Sequence, residues 1–285
     1  MKDWGMANPP SPDDETEIVI WEEAKIGLAF AQIKVDGCSE AVVIKLAIDA
    51  LEACKNRMEK KHGDWPLLPE RLSTLELMPD AASFVAALPA GVPAYGQLHV
   101  ANQLSPRAGV VVGQRITYHL ELGLPYPTLA AAFHQNHRRN LKKAAGLLVA
   151  EETTVMAVID LFRATKGREL PDVKPRHYVL LGRLAAGLAA RAQLLVVVAR
   201  DPSSGELLAG GLFAYDTRQL IYLVGAVSEA GRARGAMHAV IDGVLRAEAG
   251  GGRRLDFEGS MVESVARFYA GFGARPVPYL TFQRP

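Results

Sequence analysis

Three side chains that can hold or pass a proton stand close together near the end of the chain: Asp256, Glu258 and Tyr269. A carboxylate can take a proton from a reacting group, whereas a phenol, with a pKa of about 10, keeps its proton at neutral pH and can donate it. Asp256 and Glu258 would share one face of a strand. The spacing is compatible with acid–base chemistry. It is equally compatible with a carboxylate that caps Ser260 or the next helix, and with a tyrosine buried in the core.

The elements that would position these groups form a strand–helix–strand unit. Residues 255–258 predict a short strand, and the small residues 259–260 predict a turn. Apolar residues then recur at helical spacing, namely Val262, Val265, Ala266, Phe268 and Tyr269. Gly273 would end this helix because glycine tolerates positive φ. A last strand is predicted at residues 277–282.

A second group of candidate residues is cationic. Two arginines are each followed four residues later by a lysine, in the set Arg138, Arg139, Lys142 and Lys143. On a helix these pairs would stack, with His134 one turn earlier. Such a stripe can face the phosphates of a coenzyme or of tRNA, with an affinity that falls as salt rises. The alternative is an ordinary solvated helix face.

Periodicity and turn residues predict the remaining elements. Helices are predicted at residues 40–61, 80–88, 126–143, 153–166, 175–191 and 234–249. Strands are predicted at residues 18–21 and 26–35, which would form a hairpin, and at 94–101, 114–121, 147–151, 194–200, 207–215 and 220–226. These elements indicate a protein of the α/β class, but periodicity alone does not show how the strands pair.

Composition excludes several classes of protein. Of the 285 residues 49% are apolar and the net charge is +1, so a large core is available and no global field attracts nucleic acid or membrane. Two cysteines, Cys38 and Cys54, form neither a disulfide framework nor a zinc motif, and no metal is expected. The first residues lack an apolar signal core and no span is predicted, so we expect a cytoplasmic protein with a disordered lead-in at residues 1–16.

The terminal unit resembles the GNAT acyltransferase superfamily, which often shows Ala, two residues, Phe-Tyr, three residues and Gly-Phe at this place. The matching residues are Ala266, Phe268, Tyr269 and Gly273, while Ala274 replaces the closing Phe and Glu263 the usual Asn. Phe268 can equally be a plain core aromatic. The run from Phe133 to Ala144 and the strand ending at residue 258 resemble the Fem-type (FemAB-like) branch.

The resemblance implies a fold and a domain plan. It covers about residues 81–284 and is strongest from residue 133. It implies a GNAT-like three-layer fold, with a mixed central sheet flanked by helices and central strands that splay apart. Residues 145–285 would form the acyltransferase domain and residues 73–144 the remnant of a first GNAT-like half with its connecting basic helix. Residues 17–72 are left as an unassigned αβ segment, so the N-terminal half would be diverged or truncated.

The resemblance also implies roles for residues. Tyr269 would be the general acid, Glu258 or Asp256 a base, and the backbone near Val224, Gly225 and Ala226 the donor to an oxyanion. A diphosphate loop of Gln or Arg, two residues, Gly, one residue and Gly or Ala matches at Arg232 and Gly235. The phosphate contacts would be Gly231, Arg232, Arg234 and Gly235. Met237 occupies its third position, so acyl-CoA is compatible with the loop but not indicated by it. An ordinary turn with exposed arginines would look the same.

Three functions follow. The first is an N-acyltransferase that moves an acyl group from acyl-CoA to a small amine or amino acid. The second is Fem-type transfer from aminoacyl-tRNA to an amino-acid-containing, peptidoglycan-related acceptor. The third is a non-catalytic GNAT-like binding domain. Met237 favours the last two, and Tyr269 with the intact strand 255–258 favours an enzyme. The acceptor and the oligomeric state are left open, because acceptor pockets are built by loops.

Overall fold

The computed structural model of this chain describes residues 16–24, 27–35, 82, 85, 94–98, 100, 102–170, 173–258 and 261–284. The chain divides into two compact units, one of residues Met1–Ile116 with Val277–Pro285 and one of residues Thr117–Pro276. The predicted lead-in and the predicted helices at residues 40–61 and 80–88 lie outside the described residues, apart from Thr16 and the helical residues 82 and 85.

The first unit contains antiparallel strands. Strands β1 (Thr16–Ala24) and β2 (Gly27–Val35) pair along their whole length, which confirms the predicted hairpin. Strand β3 (Ala94–Gln97) pairs with β2 at Lys34 and with the last strand of the chain, β10 (Arg275–Arg284). Strand β4 (Val111–Glu121) passes from the first unit into the second.

The second unit follows the predicted order of elements. Its helices are α1 (Tyr126–Ala131), α2 (Gln135–Ala144), α3 (Val155–Ala164), α4 (Pro175–Ala190), α5 (Glu229–Ala233), α6 (Ala236–Glu248) and α7 (Glu263–Ala270). Its further strands are β5 (Leu148–Glu151), β6 (Leu194–Arg200), β7 (Leu207–Tyr215), β8 (Gln219–Val227) and β9 (Arg254–Asp256). In this unit the strands lie in the order β4-β9-β8-β7-β6-β5.

The sheet of the second unit is mixed, as predicted. Strands β8 and β9 pair in parallel across the α6 crossover, and the other neighbours pair antiparallel. Strand β8 pairs with β7 through to its last residue, Val227, but it pairs with β9 only at positions 219–221. The two strands therefore diverge after Ile221, and β8 bulges near Leu223 where its register to β7 shifts.

Apolar side chains cover both faces of this sheet. On one face the buried set under α6 and α7 includes Phe213, Val240, Ile241, Leu245, Leu255, Phe257 and Phe272. On the other face the set under α3 is Val158, Ile159, Val196, Val198, Leu212 and Ala226. Burial on both faces explains why β6, β7 and β8 read as nearly continuous apolar runs in the sequence.

Several predicted boundaries were wrong. The helix predicted at residues 126–143 is divided into α1 and α2, because Phe133 turns inward to pack edge-on against Phe272 at 5.3 Å. The short helix α5 before α6 was not predicted. Strand β9 ends at Asp256, since Glu258 has φ 62°, so the two carboxylates do not continue along one strand face. Helix α7 ends at Ala270, and Gly273, with φ 91°, lies in the turn beyond it.

Helix α3 approaches strand β7 closely at Gly210. A Cβ added there would lie 2.6 Å from Cγ2 of Val158, a fully buried β-branched side chain with little freedom to move. We expect Gly210→Ala to lower the free energy of unfolding by about 1–3 kcal/mol, because an overpacked core forces the backbone apart. Urea unfolding measures this change.

Gly146→Ala is the matched control, because nothing lies within 4 Å of its added Cβ. The control variant should unfold at the same urea concentration as the unchanged protein or at a higher one. Equal stability of the Gly210 and Gly146 variants would contradict the close packing of α3 on β7.

Candidate active site

The structure brings the three proton-carrying candidates together beside the divergence of β8 and β9. Asp256 is the last residue of β9, Glu258 follows one residue later, and Tyr269 lies on α7. Phe257, between the two carboxylates, is fully buried and stacks on the Tyr269 ring with centroids 4.5 Å apart. The stacked rings fix the end of β9 against α7.

Asp256 is held by hydrogen bonds to both carboxylate oxygens. Thr117 donates to Oδ1 at 2.5 Å, and His119 lies 3.1 Å from Oδ2. The backbone N–H of Glu258 also donates to Oδ1, at 2.9 Å. Burial alone would raise the pKa of Asp256, but the hydrogen bonds and charge of these neighbours lower it below the ordinary value. Asp256 is therefore a charged, fixed group.

Glu258 has the opposite electrostatic character. It is partly buried, its backbone is in the left-handed region, and its carboxylate has no hydrogen-bond partner among the described residues. Burial, with a contribution from the charge of Asp256, raises the pKa of Glu258 to about 8. The pKa of Asp256 is therefore lowered and that of Glu258 raised. Such a pair combines a permanently charged carboxylate with a carboxyl group that gains and loses a proton near neutral pH.

Tyr269 is a buried phenol with an available proton. Its ring packs against Phe257, Tyr118 and Tyr222. The ring centroid of Tyr118 lies 6.0 Å away and that of Tyr222 lies 6.3 Å away. Burial, with the charges of Glu258 and Asp256, raises the pKa of Tyr269 to about 12. Its hydroxyl has no hydrogen-bond partner in the described part of the chain. Tyr269 therefore stays protonated at neutral pH beside the carboxylates.

Sequence reasoning missed Tyr222, which lies against the open stretch of β8. The Tyr222 hydroxyl lies over Gly225, because a Cβ added to that glycine would come within 1.5 Å of the hydroxyl oxygen. The same hydroxyl contacts Sδ of Met237 at 3.2 Å. Tyr222 also stacks on Phe213 with centroids 5.0 Å apart. Met237, which stands where the diphosphate motif has a small residue, packs against this tyrosine instead. A tyrosine three residues before a glycine was the only signal in the sequence.

The candidate oxyanion backbone lies on β8 beyond its last pair with β9. Val224 and Gly225 are partly exposed, whereas Ala226 is buried under α3. Since β9 pairs with β8 no further than Ile221, the β9 side of this stretch is not covered by β9. A strand edge without a partner strand leaves backbone groups free to contact a ligand.

The predicted diphosphate loop uses its N–H groups internally. The N–H of Gly231 donates to Oγ of Ser228, that of Arg232 to the Ser228 carbonyl and that of Gly235 to the Arg232 carbonyl. Arg234 forms an ion pair with Asp201. These residues therefore do not fit a cradle that grips a diphosphate through the N–H groups of residues 231–235.

Close packing leaves little room at the two loop glycines. A Cβ added at Gly231 would lie 2.2 Å from the carbonyl oxygen of Leu208. A Cβ added at Gly235 would lie 2.5 Å from the carbonyl oxygen of Asn140. Asn140 belongs to α2, so this helix covers the start of α6. Arg232, which is exposed, is the loop group best placed to meet an anion.

The four cations of α2 lie on its exposed surface. Arg138, Arg139, Lys142 and Lys143 are all exposed, and none forms an ion pair with a described residue. Four cations close together on one helix raise the local positive potential. The structure leaves both a phosphate contact and a solvated face open for them.

Two of the neighbours of Asp256 come from distant sequence. Thr117 and His119 lie on β4, 139 and 137 residues before Asp256, and both are buried. Their alternation puts them on one face of the strand. The alternation of polar Thr117 and His119 with apolar Ile116, Tyr118 and Leu120 was the available signal. The partner of the two polar residues could not be read from the sequence.

The described residues offer neither a metal site nor a membrane-spanning helix. No three His, Cys, Asp or Glu side chains there are arranged to hold a metal ion. None of the helices in that part of the chain is both long and apolar enough to cross a membrane.

The raised pKa of Glu258 makes stability depend on pH. Below the ordinary value of 4.5 both the folded and the unfolded state carry the proton. As pH rises from 4.5 to about 8 the unfolded state ionises first, so the free energy of unfolding falls, and above about 8 it levels off. Glu258→Gln cannot ionise, so at pH 8 it should be more stable than the unchanged protein by up to about 4 kcal/mol.

Urea unfolding near pH 5 and pH 8 measures this difference. Glu263→Gln is the matched control, since Glu263 is exposed on α7 and pairs with Arg267 at 3.0 Å. The control should leave the pH dependence unchanged. A Glu258→Gln variant with the same pH dependence as the unchanged protein would show that the Glu258 carboxylate is solvated.

Comparison with known proteins gives one family match and several structural ones. A family model described as "Acetyltransferase (GNAT) domain" matches residues 131–261. The crystal structure of FemX superposes with a TM-score of 0.54 at 12% identity, over 94% of this chain and 87% of that one. No curated protein sequence matches the chain.

Two other solved structures are similar at a lower level. A conserved protein of unknown function from Bacteroides thetaiotaomicron VPI-5482 has a TM-score of 0.49 at 10% identity, over 89% of this chain and 82% of that one. A tandem GNAT protein from the clavulanic acid biosynthesis pathway has a TM-score of 0.43 at 13% identity, over 90% of this chain and 79% of that one. The likeness to FemX and the family match confirm the predicted fold, a mixed sheet of GNAT type flanked by helices.

Proposed function

We propose that this chain, which carries a domain of the GNAT acetyltransferase family at residues 131–261, is an N-acyltransferase that joins an acyl group to a primary amine by direct attack. One observation carries the proposal. Where β8 loses its pairing with β9, a carboxyl group of raised pKa and a protonated phenol lie beside a fixed carboxylate. Direct transfer needs one group that takes a proton and one that gives it.

Glu258 is the base in this proposal. The attacking amine must lose a proton, and a base works best when its pKa lies near the working pH. With a pKa of about 8, Glu258 holds a proton far more strongly than an ordinary carboxylate does. Asp256 positions it, because its Oδ1 accepts the N–H of Glu258 and its charge helps to keep that pKa high. Thr117 and His119 in turn hold Asp256.

Tyr269 is the acid. The amine nitrogen attacks the carbonyl carbon of the donor, a C–N bond forms, and the bond from that carbon to the thiol sulfur or hydroxyl oxygen of the leaving group breaks. Glu258 receives the amine proton and Tyr269 gives its proton to the leaving group. The backbone of Val224 and Gly225 would stabilise negative charge on the carbonyl oxygen. Proton return from Glu258 to Tyr269 restores both groups.

An aminoacyl-tRNA donor is the second candidate, and a specific observation favours it. The exposed cations of α2 have no carboxylate partner in the described residues, and the loop at residues 231–235 uses its N–H groups internally. Both features suit a donor that offers many phosphates over a broad surface better than one that offers a single diphosphate. The transfer chemistry at Glu258 and Tyr269 would be the same for either donor.

A direct test incubates the purified full chain with acyl-CoA thioesters or bulk aminoacyl-tRNA and with a panel of amines and amino acids. Amide formation is followed by mass spectrometry. Product with a thioester supports the first donor, and product with aminoacyl-tRNA supports the second. Binding of a donor without any amide product would instead support a non-catalytic binding domain.

Tyr269→Phe removes the proton that the leaving group needs while keeping the ring. We expect kcat to fall by about a hundredfold, because a positioned general acid contributes on that order. Thermal unfolding should change little, since the described residues offer this hydroxyl no hydrogen bond. Tyr215→Phe, on the distant end of β7, is the matched control and should keep full turnover. Unchanged turnover in Tyr269→Phe would remove this residue from the mechanism.

Removal of the α2 cations tests the donor. A variant with alanine at Arg138, Arg139, Lys142 and Lys143 should bind aminoacyl-tRNA more weakly, with a salt dependence shallower by about 0.7 per lost phosphate contact. Filter binding over a range of salt concentrations measures both. The control replaces an equal number of exposed cations elsewhere, at Arg163, Lys166, Arg168 and Arg191. An equal loss of aminoacyl-tRNA affinity in both variants would show that the α2 cations form an ordinary solvated helix face.

A further inference from the structure

Helix α2 holds the end of helix α7 by two hydrogen bonds. The backbone N–H of His134, the residue that caps α2, donates to the carbonyl of Gly271 at 2.8 Å. One turn later Nε2 of His137 lies 2.8 Å from the carbonyl oxygen of Phe268. Two consecutive turns of α2 thus contact the last turn of α7 and the residue that follows it.

The Phe268 carbonyl needs this partner because α7 ends there. In a continuing helix it would accept the N–H of Phe272, but that N–H donates to the Tyr269 carbonyl instead. The last carbonyls of a helix have no partner within the helix, and a buried one must find another donor. The imidazole of His137 supplies it from a different helix.

Close packing fixes the position of the His137 ring. The side chain is 5% exposed and lies directly over Gly271, where an added Cβ would come within 2.2 Å of Cε1. Phe272 and His238 meet the ring edge-on, with centroids 4.5 Å and 4.7 Å away. The ring therefore cannot turn away from Phe268 without disturbing three neighbours.

The remaining nitrogen of His137 shows which form the ring takes. Nδ1 is buried and has no hydrogen-bond partner, so the ring proton belongs on Nε2, where the Phe268 carbonyl accepts it. Burial lowers the pKa of His137, which keeps the imidazole neutral at physiological pH. Its hydrogen bond is thus a neutral N–H to carbonyl bond that does not change near neutral pH.

We propose that His137 is a positioning residue for Tyr269, acting through the peptide that joins Phe268 to Tyr269. Phe268 is the residue next to Tyr269, so the carbonyl that His137 holds belongs to the peptide group from which the phenol projects. This inference rests on the proposed acyl transfer, in which the Tyr269 hydroxyl must meet the leaving group. His137 touches no reacting atom.

The test compares two replacements at His137 in the full-length protein. His137→Phe keeps a ring but cannot donate, and His137→Gln keeps an N–H donor. We expect His137→Phe to lower kcat about tenfold with KM for the donor unchanged, because a small displacement of a catalytic group costs rate more than binding. His137→Gln should restore most of the loss. A residue needed only for packing would not be rescued by a donor.

The matched control is His238→Phe. His238 belongs to the same ring cluster, but its hydrogen bond goes to Asn140 and not to α7. The control should keep the kcat of the unchanged protein. Any of three results would overturn the proposal. His137→Phe could keep the kcat of the unchanged protein, His137→Gln could lose as much kcat as His137→Phe, or His238→Phe could lose as much kcat as His137→Phe.

A second readout separates this inference from the acyl transfer on which it rests. In protein with isotope-labelled tyrosine, the Tyr269 resonance, assigned with Tyr269→Phe, should shift in His137→Phe and return in His137→Gln. If the unchanged protein forms no amide with any donor, the proposed function fails, and the positioning role in catalysis fails with it. If amide forms but neither kcat nor the Tyr269 resonance responds to His137→Phe, only the inference fails.

Discussion

The short pairing between β8 and β9 is the constraint on which the candidate site depends. The strands share only positions 219–221, after which β8 continues to Val227 without β9 beside it. A fully paired parallel sheet would bury both strand edges and leave no room for a substrate. Because pairing ends early, β9 can stop at Asp256, and the chain can turn through the left-handed Glu258 toward α7. The two carboxylates and Tyr269 therefore meet where β8 leaves β9.

Electrostatics then distinguishes two carboxylates that the sequence makes look alike. Asp256 receives three donors, so its charge is stabilised and its pKa is lowered. Glu258 receives none from the described residues and sits near that same charge, so its pKa is raised to about 8. The charge of Asp256 thus helps to raise the pKa of the carboxyl group beside it. Such a pair is costly for folding, and shifted pKa values of this kind cluster at functional sites.

Helix α2 connects the two surfaces that matter for the proposed reaction. Its exposed side carries the four cations, and its buried side carries His137 and Ala144. The buried side meets the end of α7 through Gly271 and the start of α6 through Gly235. Glycine is needed at both contacts, since an added Cβ would overlap the His137 ring at one and the Asn140 carbonyl at the other. The same helix therefore presents four cations on one side and holds the Tyr269 helix on the other.

The sequence by itself determined the order of strands and helices in the second unit, because apolar periodicity and turn residues are local signals. The resemblance to the GNAT superfamily, together with their chemistry and spacing, also singled out Asp256, Glu258 and Tyr269 as candidates. Only the tertiary structure decided that Thr117 and His119, more than 130 residues earlier, hold Asp256. Likewise, the helix predicted at residues 126–143 is divided in two because Phe133 packs edge-on against Phe272. Contacts between distant segments are set by packing and desolvation in three dimensions, and these leave no local period in the sequence.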